Sequence, residues 1–243
     1  MKNISRRFCY DDEFFTDKIP AAAVLARPAL EEDIPVFIKR DLFSAEECRL
    51  IADQFLAAGP SDQPGANAEA DGVVRKAFSF DLAGEAKVIY EAALASMRTS
   101  LERFYGVSLA GSAGAHGLGY TPGCKYDLHA DNCDPQLDES GNLQGFRHVM
   151  PDRHLSTLVF LTDSVEEMDG PYQHIGGNLS FRFLVDEMSE PLLIEPARGM
   201  FVAFPSDPVF SHEVHEVHAV STEFRLAIVD WHACNTRVII QNT

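Results

Sequence analysis

Residues 155–161 read LSTLVFL and open a series of short apolar segments in the second half of the chain. Turns such as Gly176-Gly177 and Ala197-Arg198-Gly199 separate some of these segments. Many short apolar segments with glycine turns between them predict an antiparallel sandwich or a small barrel. The segments that follow the first one are 179–185 (LSFRFLV), 192–194 (LLI), 200–204 (MFVAF), 214–220 (VHEVHAV) and 224–231 (FRLAIVDW).

Two helices are predicted upstream of these strands. Ser44 is followed three residues later by Glu47, which is the pattern of a capping box, and Gly59 is expected to end this first helix. The second helix is predicted from Gly84 to about Tyr105, where apolar residues recur at spacings of three and four. Helices followed by a run of strands indicate an α+β, mainly β fold with the helices packed on one sheet.

The composition narrows the class of protein. The chain has 243 residues, of which 46% are hydrophobic, so it can bury a sizeable core. Residues 1–33 are interpreted as an N-terminal arm, and residues 34–243 as a single domain. Its 20 basic and 37 acidic residues give a net charge of −17, which disfavours binding to nucleic acid or to an anionic membrane surface. No apolar run approaches the roughly 18 residues that a membrane span needs.

The five cysteines indicate the compartment. They are scattered and odd in number, and no two form a C-x-x-C pair. This pattern favours reduced thiols over a disulfide framework, and the N-terminal residues contain no apolar segment typical of a secretory signal. A cytoplasmic location is therefore expected.

The histidine distribution points to a metal site. Eight of the nine histidines lie at or after His129, and His129 and Asp131 form an H-x-D pair. On a strand, residues i and i+2 project from the same face, so one imidazole and one carboxylate converge on one point. A distant second histidine would complete the 2-His-1-carboxylate triad that is typical of non-haem Fe(II) oxygenases.

The third ligand is expected within residues 211–220, which read SHEVHEVHAV. The valines favour a strand, on which His215, Val217 and Ala219 would share a mostly apolar face suited to a barrel interior. His215 is therefore preferred, and His212 is the alternative third ligand. A bulge before His215 would invalidate this argument from alternation.

The last apolar segment carries an arginine on an otherwise apolar face. Arg225, Ala227, Val229 and Trp231 alternate along one side of the predicted strand. An unpaired buried charge is costly, so Arg225 needs a partner. A dicarboxylate ligand satisfies this need through two parallel hydrogen bonds, and a structural salt bridge to an acidic residue satisfies it equally well.

Several motifs together resemble one enzyme family. They are Tyr120-Thr121-Pro122-Gly123, His129-Ala130-Asp131, residues 153–161 (RHLSTLVFL), residues 176–181 (GGNLSF), and His215-Glu216-Val217 followed by Arg225 and Trp231. Over about residues 34–233 the chain is similar to the prolyl 4-hydroxylase-type 2-oxoglutarate/Fe(II) oxygenases.

This resemblance implies a double-stranded β-helix, the cupin-like jelly roll, with its core at about residues 111–233. It also implies iron bound by His129, Asp131 and His215, and Arg225 as the partner of the distal carboxylate of 2-oxoglutarate. Tyr120 lies where some members have a tyrosine that contacts this cosubstrate. The implied cofactors are Fe(II), 2-oxoglutarate and O2, with ascorbate as a candidate reductant.

The implied activity is that of a dioxygenase, an oxidoreductase that hydroxylates an unactivated C–H bond and releases succinate and CO2. A small metabolite or amino acid is the expected substrate, and a peptidyl proline is the first alternative. A non-catalytic, ligand-binding jelly roll is the second alternative. A nucleic-acid dealkylase on this fold is disfavoured by the net charge of −17.

The chain departs from the family pattern at three places. It has two His-Glu-Val copies, beginning at His212 and His215, where members usually have one. Phe160 lies about where some relatives have a tyrosine that donates to the cosubstrate. Residues 132–152 form a long connection after H-x-D, which is interpreted as a mobile loop of the kind that forms lids.

Overall fold

The computed structural model describes residues 19, 23–24, 35–61, 67–70 and 73–235. The predicted arm at residues 1–33 lies outside them, apart from Ile19 and one short strand. The helices are α1 (Ala45–Ala58) and α2 (Gly84–Tyr105). The strands are β1 (Ala23–Val24), β2 (Phe37–Lys39), β3 (Asn67–Ala70), β4 (Val73–Lys76), β5 (Phe78–Asp81), β6 (Leu109–Ser112), β7 (His116–Tyr120), β8 (Tyr126–His129), β9 (Cys133–Leu137), β10 (Leu143–His148), β11 (Leu155–Phe160), β12 (Asp163–Ser164), β13 (Gln173–Gly176), β14 (Leu179–Val185), β15 (Pro191–Ile194), β16 (Phe201–Pro205), β17 (His212–Val214), β18 (Val217–Val220) and β19 (Arg225–Cys234).

Both predicted helices are present. The Ser44 hydroxyl accepts a hydrogen bond from the Glu47 backbone N–H, and the Glu47 carboxylate accepts one from the Ser44 backbone N–H. This reciprocal pair satisfies backbone donors that have no partner within the first turn of α1. Gly59 ends the helix in a left-handed backbone conformation (φ +73°), which glycine adopts without steric penalty.

Two sheets of seven described strands each form the body of the fold. The first, the helix-side sheet, has the order β2-β16-β11-β19-β7-β5, with β6 also paired to β19. The second, the ligand-side sheet, has the order β1-β14-β17-β8-β4-β3, with β15 also paired to β14. The strands β12, β13 and β18 form a small third sheet. The predicted double-stranded β-helix is confirmed.

The helix-side sheet is buried on both faces. Leu226 and Ile228 of β19 pack with Phe55 of α1 and Leu101 of α2 in one apolar core. On the opposite face of the same strand, Ala227 packs in a second core that lies between the two sheets. The expectation that the helices pack on one sheet is therefore confirmed, and the strand faces follow the predicted alternation.

The connection after the H-x-D pair differs from the prediction of a loop. Strands β9 and β10 lie within it and form a two-stranded antiparallel hairpin. Phe146 of this hairpin is buried against Phe183 of β14, with ring centroids 6.3 Å apart. Burial of this aromatic side chain orders the segment as a hairpin, and the glycines that suggested a loop are accommodated within it.

No helix in the described part of the chain combines the length and the apolar character that a membrane crossing requires.

Candidate active site

A cavity of about 430 Å³ lies between the two large sheets. The ligand-side sheet contributes His129 and His212 to its wall, and the helix-side sheet contributes Ser156 and Arg225. Two of the polar groups in this mixed lining lie apart along β11, because Ser156 contacts Asp131 whereas Phe160, four residues later, contacts Arg225. One group surrounds Asp131, and the other end of the cavity is formed by Arg225.

Three side chains of the first group converge. His129 ends β8, Asp131 follows two residues later, and His212 begins β17. The Nε2 atom of His129 lies 3.8 Å from Asp131 Oδ1, and the Nε2 atom of His212 lies 3.9 Å from Asp131 Oδ2. One donor atom from each residue falls within 4.8 Å of the other two. This is a compact, buried set of two imidazoles and one carboxylate.

The register of the ligand-side sheet brings the two histidines together. His212 is directly opposite His129 in the antiparallel pairing of β17 with β8. Residues that are directly opposite in an antiparallel pair project their side chains from the same face. The imidazole centroids are accordingly 4.3 Å apart, and the Tyr126 ring stacks on His129 at 3.5 Å.

Backbone carbonyls select the tautomer of both histidines. The Nδ1 atom of His129 is 2.9 Å from the Asp127 oxygen, and Nδ1 of His212 is 3.0 Å from the Phe210 oxygen. A carbonyl can only accept, so in each ring Nδ1 carries a proton, and Nε2 is the nitrogen that faces Asp131 and can offer a lone pair to a cation. This is the arrangement that a metal-binding histidine requires.

Asp131 is kept in its charged form. Burial alone raises the pKa of Asp131, but the charges of His212 and His129 and a hydrogen bond from Ser156 outweigh it, so this pKa is lowered. The Ser156 hydroxyl donates to Asp131 Oδ2 at 2.6 Å, and the Ser206 hydroxyl lies 2.7 Å from Ser156. The carboxylate is therefore oriented before any ligand binds.

The structure does not bring His215, the preferred third ligand, to this group, whereas His212, the alternative, lies in it. The His215 side chain is 45% exposed, and its Nε2 atom lies 3.6 Å from the Glu213 carboxylate. The strand is interrupted at residues 215–216, between β17 and β18, and the His215 backbone N–H donates to the Asn178 oxygen. Alternation counted through this interruption assigns the wrong face.

Arg225 lies at the other end of the cavity, buried between two rings. Its guanidinium carbon is 5.1 Å from the Tyr120 ring centroid and 5.2 Å from that of Phe160. Its Nε atom is buried and has no hydrogen-bond partner among the described residues. Burial lowers the pKa of Arg225 to about 10, against a smaller opposing effect of Tyr120, so it remains charged at neutral pH.

The predicted face of the last strand is confirmed. Arg225, Ala227, Val229 and Trp231 all line the cavity. Tyr120 lines it as well, because it is directly opposite Arg225 in the pairing of β7 with β19. The structural salt bridge that was the alternative partner for Arg225 is absent among the described residues.

The cavity wall near Asp131 includes a second arginine. The Arg153 guanidinium carbon is 3.8 Å from the Trp231 ring centroid, and its Nη1 donates to the Asp131 backbone oxygen at 3.2 Å. Asp134 and Pro135 of the β9–β10 hairpin, together with Met150, form the adjoining wall. Ionic, aromatic and apolar groups thus surround the space beside the triad.

A protein-family model described as the 2OG-Fe(II) oxygenase superfamily matches residues 115–233, which contain the triad and Arg225. Residues 115–233 belong to the 2OG-Fe(II) oxygenase superfamily. The chain is an oxidoreductase of the dioxygenase type, and the cofactors of this superfamily are Fe(II), 2-oxoglutarate and O2. No curated protein matches the chain by sequence.

Solved structures of 2OG-Fe(II) oxygenases share the fold. A Pseudomonas putida prolyl-4-hydroxylase matches with 20% identity and a TM-score of 0.56, over 82% of this chain and 91% of its own. A Trichoplax adhaerens prolyl hydroxylase in complex with a hypoxia inducible factor peptide matches with 20% identity and a TM-score of 0.58, over 82% and 83%. The viral collagen prolyl hydroxylase of Paramecium Bursaria Chlorella virus-1 matches with 15% identity and a TM-score of 0.54, over 82% and 96%.

The donor set fits the metal of this superfamily. Two imidazoles and one carboxylate, all on one side of a cavity, are the ligand chemistry of a facial Fe(II) triad. The buried, unpartnered Nε of Arg225 belongs to a cation in an apolar setting, which suits a carboxylate ligand.

Sequence reasoning missed Ser156 and Tyr126, which hold Asp131 and His129 in place. Ser156 had a signal, since it is a hydroxyl in the apolar segment 155–161, on the face that Leu158 and Phe160 share. Tyr126 had none, because residues i and i+3 of a regular strand project from opposite faces, yet the Tyr126 and His129 rings stack in the structure.

Proposed function

We propose that this chain is an Fe(II)- and 2-oxoglutarate-dependent hydroxylase of a small metabolite or amino acid. In this proposal His129, Asp131 and His212 bind the metal, and Arg225 binds the distal carboxylate of 2-oxoglutarate. The observation that carries it is that the triad and a buried, unpartnered arginine nitrogen share one cavity.

When bound, Fe(II) and 2-oxoglutarate supply the oxidising power that transfers one oxygen atom of O2 to a C–H bond, with succinate and CO2 as coproducts. The protein contributes position and environment. The Nδ1–H groups of His129 and His212 are held by backbone carbonyls, so their Nε2 lone pairs need no reorientation. Ser156 holds the carboxylate of Asp131, and the apolar ring of Phe160 covers one side of the Arg225 guanidinium.

The polar groups in the cavity wall support a small substrate. The β9–β10 hairpin contributes Cys133, Asp134 and Pro135 to the wall beside the triad. A peptide needs an open groove, whereas a metabolite needs a closed pocket with polar groups that fix its orientation. Arg153, held against Trp231, is one such group.

Peptidyl proline is the alternative substrate. It is supported by the fold shared with prolyl hydroxylases, one of which is in complex with a peptide. Free amino acids and proline-containing peptides, compared in the same assay of succinate release, distinguish these two substrate classes.

The first experiment is an anaerobic absorbance titration of the purified apo-protein with Fe(II) and then with 2-oxoglutarate. We expect a metal-to-cosubstrate charge-transfer band that requires both additions, and a much higher 2-oxoglutarate requirement for Arg225→Ala. If iron binds and no band forms with 2-oxoglutarate, the proposal fails, and a non-catalytic binding module becomes the better description.

We also propose a cytoplasmic location. Its support is the scattered, odd set of five cysteines. Among the described residues, Cys48, Cys124, Cys133 and Cys234 are free thiols.

A further inference from the structure

His174 is a buried histidine whose hydrogen-bonding groups are unused. It lies on β13 with none of its surface exposed, and neither ring nitrogen has a hydrogen-bond partner among the described residues. The part of the chain that the structure describes contains five such buried side-chain atoms, and three of them belong to His174 and Arg225. Leaving a buried polar group unpaired is energetically costly, so native proteins satisfy such groups with protein or with ordered water.

The two residues meet at Gly177. A Cβ atom placed on this glycine would lie 3.4 Å from His174 Cδ2 and 3.5 Å from Arg225 Cγ. Gly177 has a left-handed backbone (φ +69°), and it has no side chain to separate the histidine from the arginine. His174 and Arg225 are therefore neighbours around one point, although they belong to different sheets.

Their chemistry is complementary. Burial and, to a smaller extent, the positive charge of Arg225 lower the pKa of His174 to about 3, so the imidazole is neutral at physiological pH. A neutral imidazole has one nitrogen that accepts a hydrogen bond. The Nε–H of Arg225 is a donor without a partner among the described residues.

We propose that His174 is a positioning residue for Arg225, linked to the Arg225 Nε–H through one buried water molecule. The water accepts from the arginine and donates to the unprotonated nitrogen of His174, which gives it polar partners on both sides. With Nε engaged from behind, the guanidinium plane is fixed and the two Nη groups remain for the carboxylate of 2-oxoglutarate. This inference rests on the proposed role of Arg225 in cosubstrate binding.

Substitution of His174 tests the link by its effect on cosubstrate binding. We expect His174→Phe to raise the dissociation constant for 2-oxoglutarate, measured anaerobically with Fe(II) present, by about tenfold, the value of one hydrogen bond to a charged group. Fe(II) affinity should be unchanged. Because Gln and Asn present polar atoms near the positions of Nε2 and Nδ1, one of His174→Gln and His174→Asn should restore most of the affinity. The matched control is His218→Phe, at an exposed histidine on β18.

The second measurement does not depend on activity or on metal. In ¹H–¹⁵N spectra of the metal-free wild type, the Nε–H of Arg225, assigned by its loss in Arg225→Lys, should exchange slowly with solvent. The signal should exchange faster in His174→Phe. This measurement still tests the proposal if His174→Phe does not fold. Fast exchange of the Arg225 Nε–H with solvent in the wild type would overturn the proposed link to His174.

The outcomes separate this inference from the proposed function. If wild-type protein with bound Fe(II) fails to bind 2-oxoglutarate, the proposed function fails, and the exchange measurement still tests the link. If the wild type binds 2-oxoglutarate and folded His174→Phe binds it equally well, the positioning role is wrong while the proposed function stands.

Discussion

The two ends of the cavity differ in how far their polar groups are hydrogen-bonded within the protein. Around Asp131, the carboxylate and the Nδ1 atoms of both histidines are hydrogen-bonded within the protein. Around Arg225, buried donors and acceptors are without partners among the described residues. The first end is organised in advance for a cation, whereas the second holds an uncompensated positive charge that is stabilised when an anion arrives.

The comparison extends to a second buried carboxyl. Asp207 caps the 3-10 turn at residues 208–210, and burial raises its pKa to about 7 against the opposing backbone hydrogen bonds of Val209 and Phe210. Asp131, whose side chain is only 10% exposed, has a lowered pKa because two histidines and a hydroxyl surround it. The surrounding groups, and not the degree of burial, therefore decide whether a carboxyl in this protein is charged.

The largest effect is expected around Asp131, on Fe(II) binding and hydroxylation. Asp131→Ala and His212→Ala should each abolish hydroxylation and weaken Fe(II) binding severely, because each removes one of three ligands. The measurement is Fe(II) binding followed by turnover of 2-oxoglutarate. His215→Ala is the matched control and should behave as wild type, since this histidine is exposed. Full activity of Asp131→Ala, or loss of iron in His215→Ala alone, would show that the triad is misassigned.

The second largest effect is expected at Arg225, on the binding of 2-oxoglutarate. Arg225→Ala should raise the dissociation constant for 2-oxoglutarate by about 100-fold, because a charge-assisted, bidentate contact is lost. Fe(II) affinity should remain that of the wild type, which separates the two ends. Arg182→Ala, at an exposed arginine on β14, is the control. Equal losses of iron and cosubstrate binding in Arg225→Ala would argue for a general loss of structure.

A smaller effect is expected where the protein orients a ligand. Ser156→Ala removes the hydrogen bond to Asp131 Oδ2, and we expect Fe(II) affinity to fall about tenfold. The dissociation constant for 2-oxoglutarate at saturating Fe(II) should not change. Ser96→Ala, at an exposed serine on α2, serves as the comparison. An unchanged Fe(II) affinity would mean that Ser206 or solvent replaces the lost donor.

The smallest effect concerns stability and pH. The folded-state pKa of Asp207 lies above its ordinary value of 3.8, so between about pH 4 and 7 the native state binds more protons than the unfolded state. Stability should therefore fall as pH rises through this window. Asp207→Asn keeps an acceptor for the cap and removes the titration, so its unfolding free energy relative to wild type should be about 1 kcal/mol higher at pH 6 than at pH 5.

Denaturant unfolding at both pH values measures this difference. Wild type and Asp207→Asn with the same pH dependence would show that Asp207 ionises normally in the folded protein.

Local patterns predicted much of the fold and half of the site. The capping box at Ser44 and the stop at Gly59 predicted α1 because caps act within a few residues. The alternation from Arg225 to Trp231 predicted the cavity face of β19 because that strand is continuous over these residues. The H-x-D spacing placed His129 and Asp131 together for the same local reason.

The choice between His212 and His215 required contacts that are distant in sequence. The pairing of His212 with His129 spans 83 residues, and the backbone of His215 is held by Asn178. These contacts interrupt the strand after Val214, and no local pattern in 211–220 reports them.

The amino-acid sequence thus determined which elements form, where H-x-D lies and which face of the last strand carries Arg225, because strand period and helix caps are short-range properties. The tertiary structure decided which histidine joins His129 and Asp131. It also decided which hydroxyl orients Asp131, and it placed His174 beside Arg225. Each of these depends on the register between strands that are far apart in the chain. A shift of one residue in that register moves every side chain of the strand to the opposite face of the sheet.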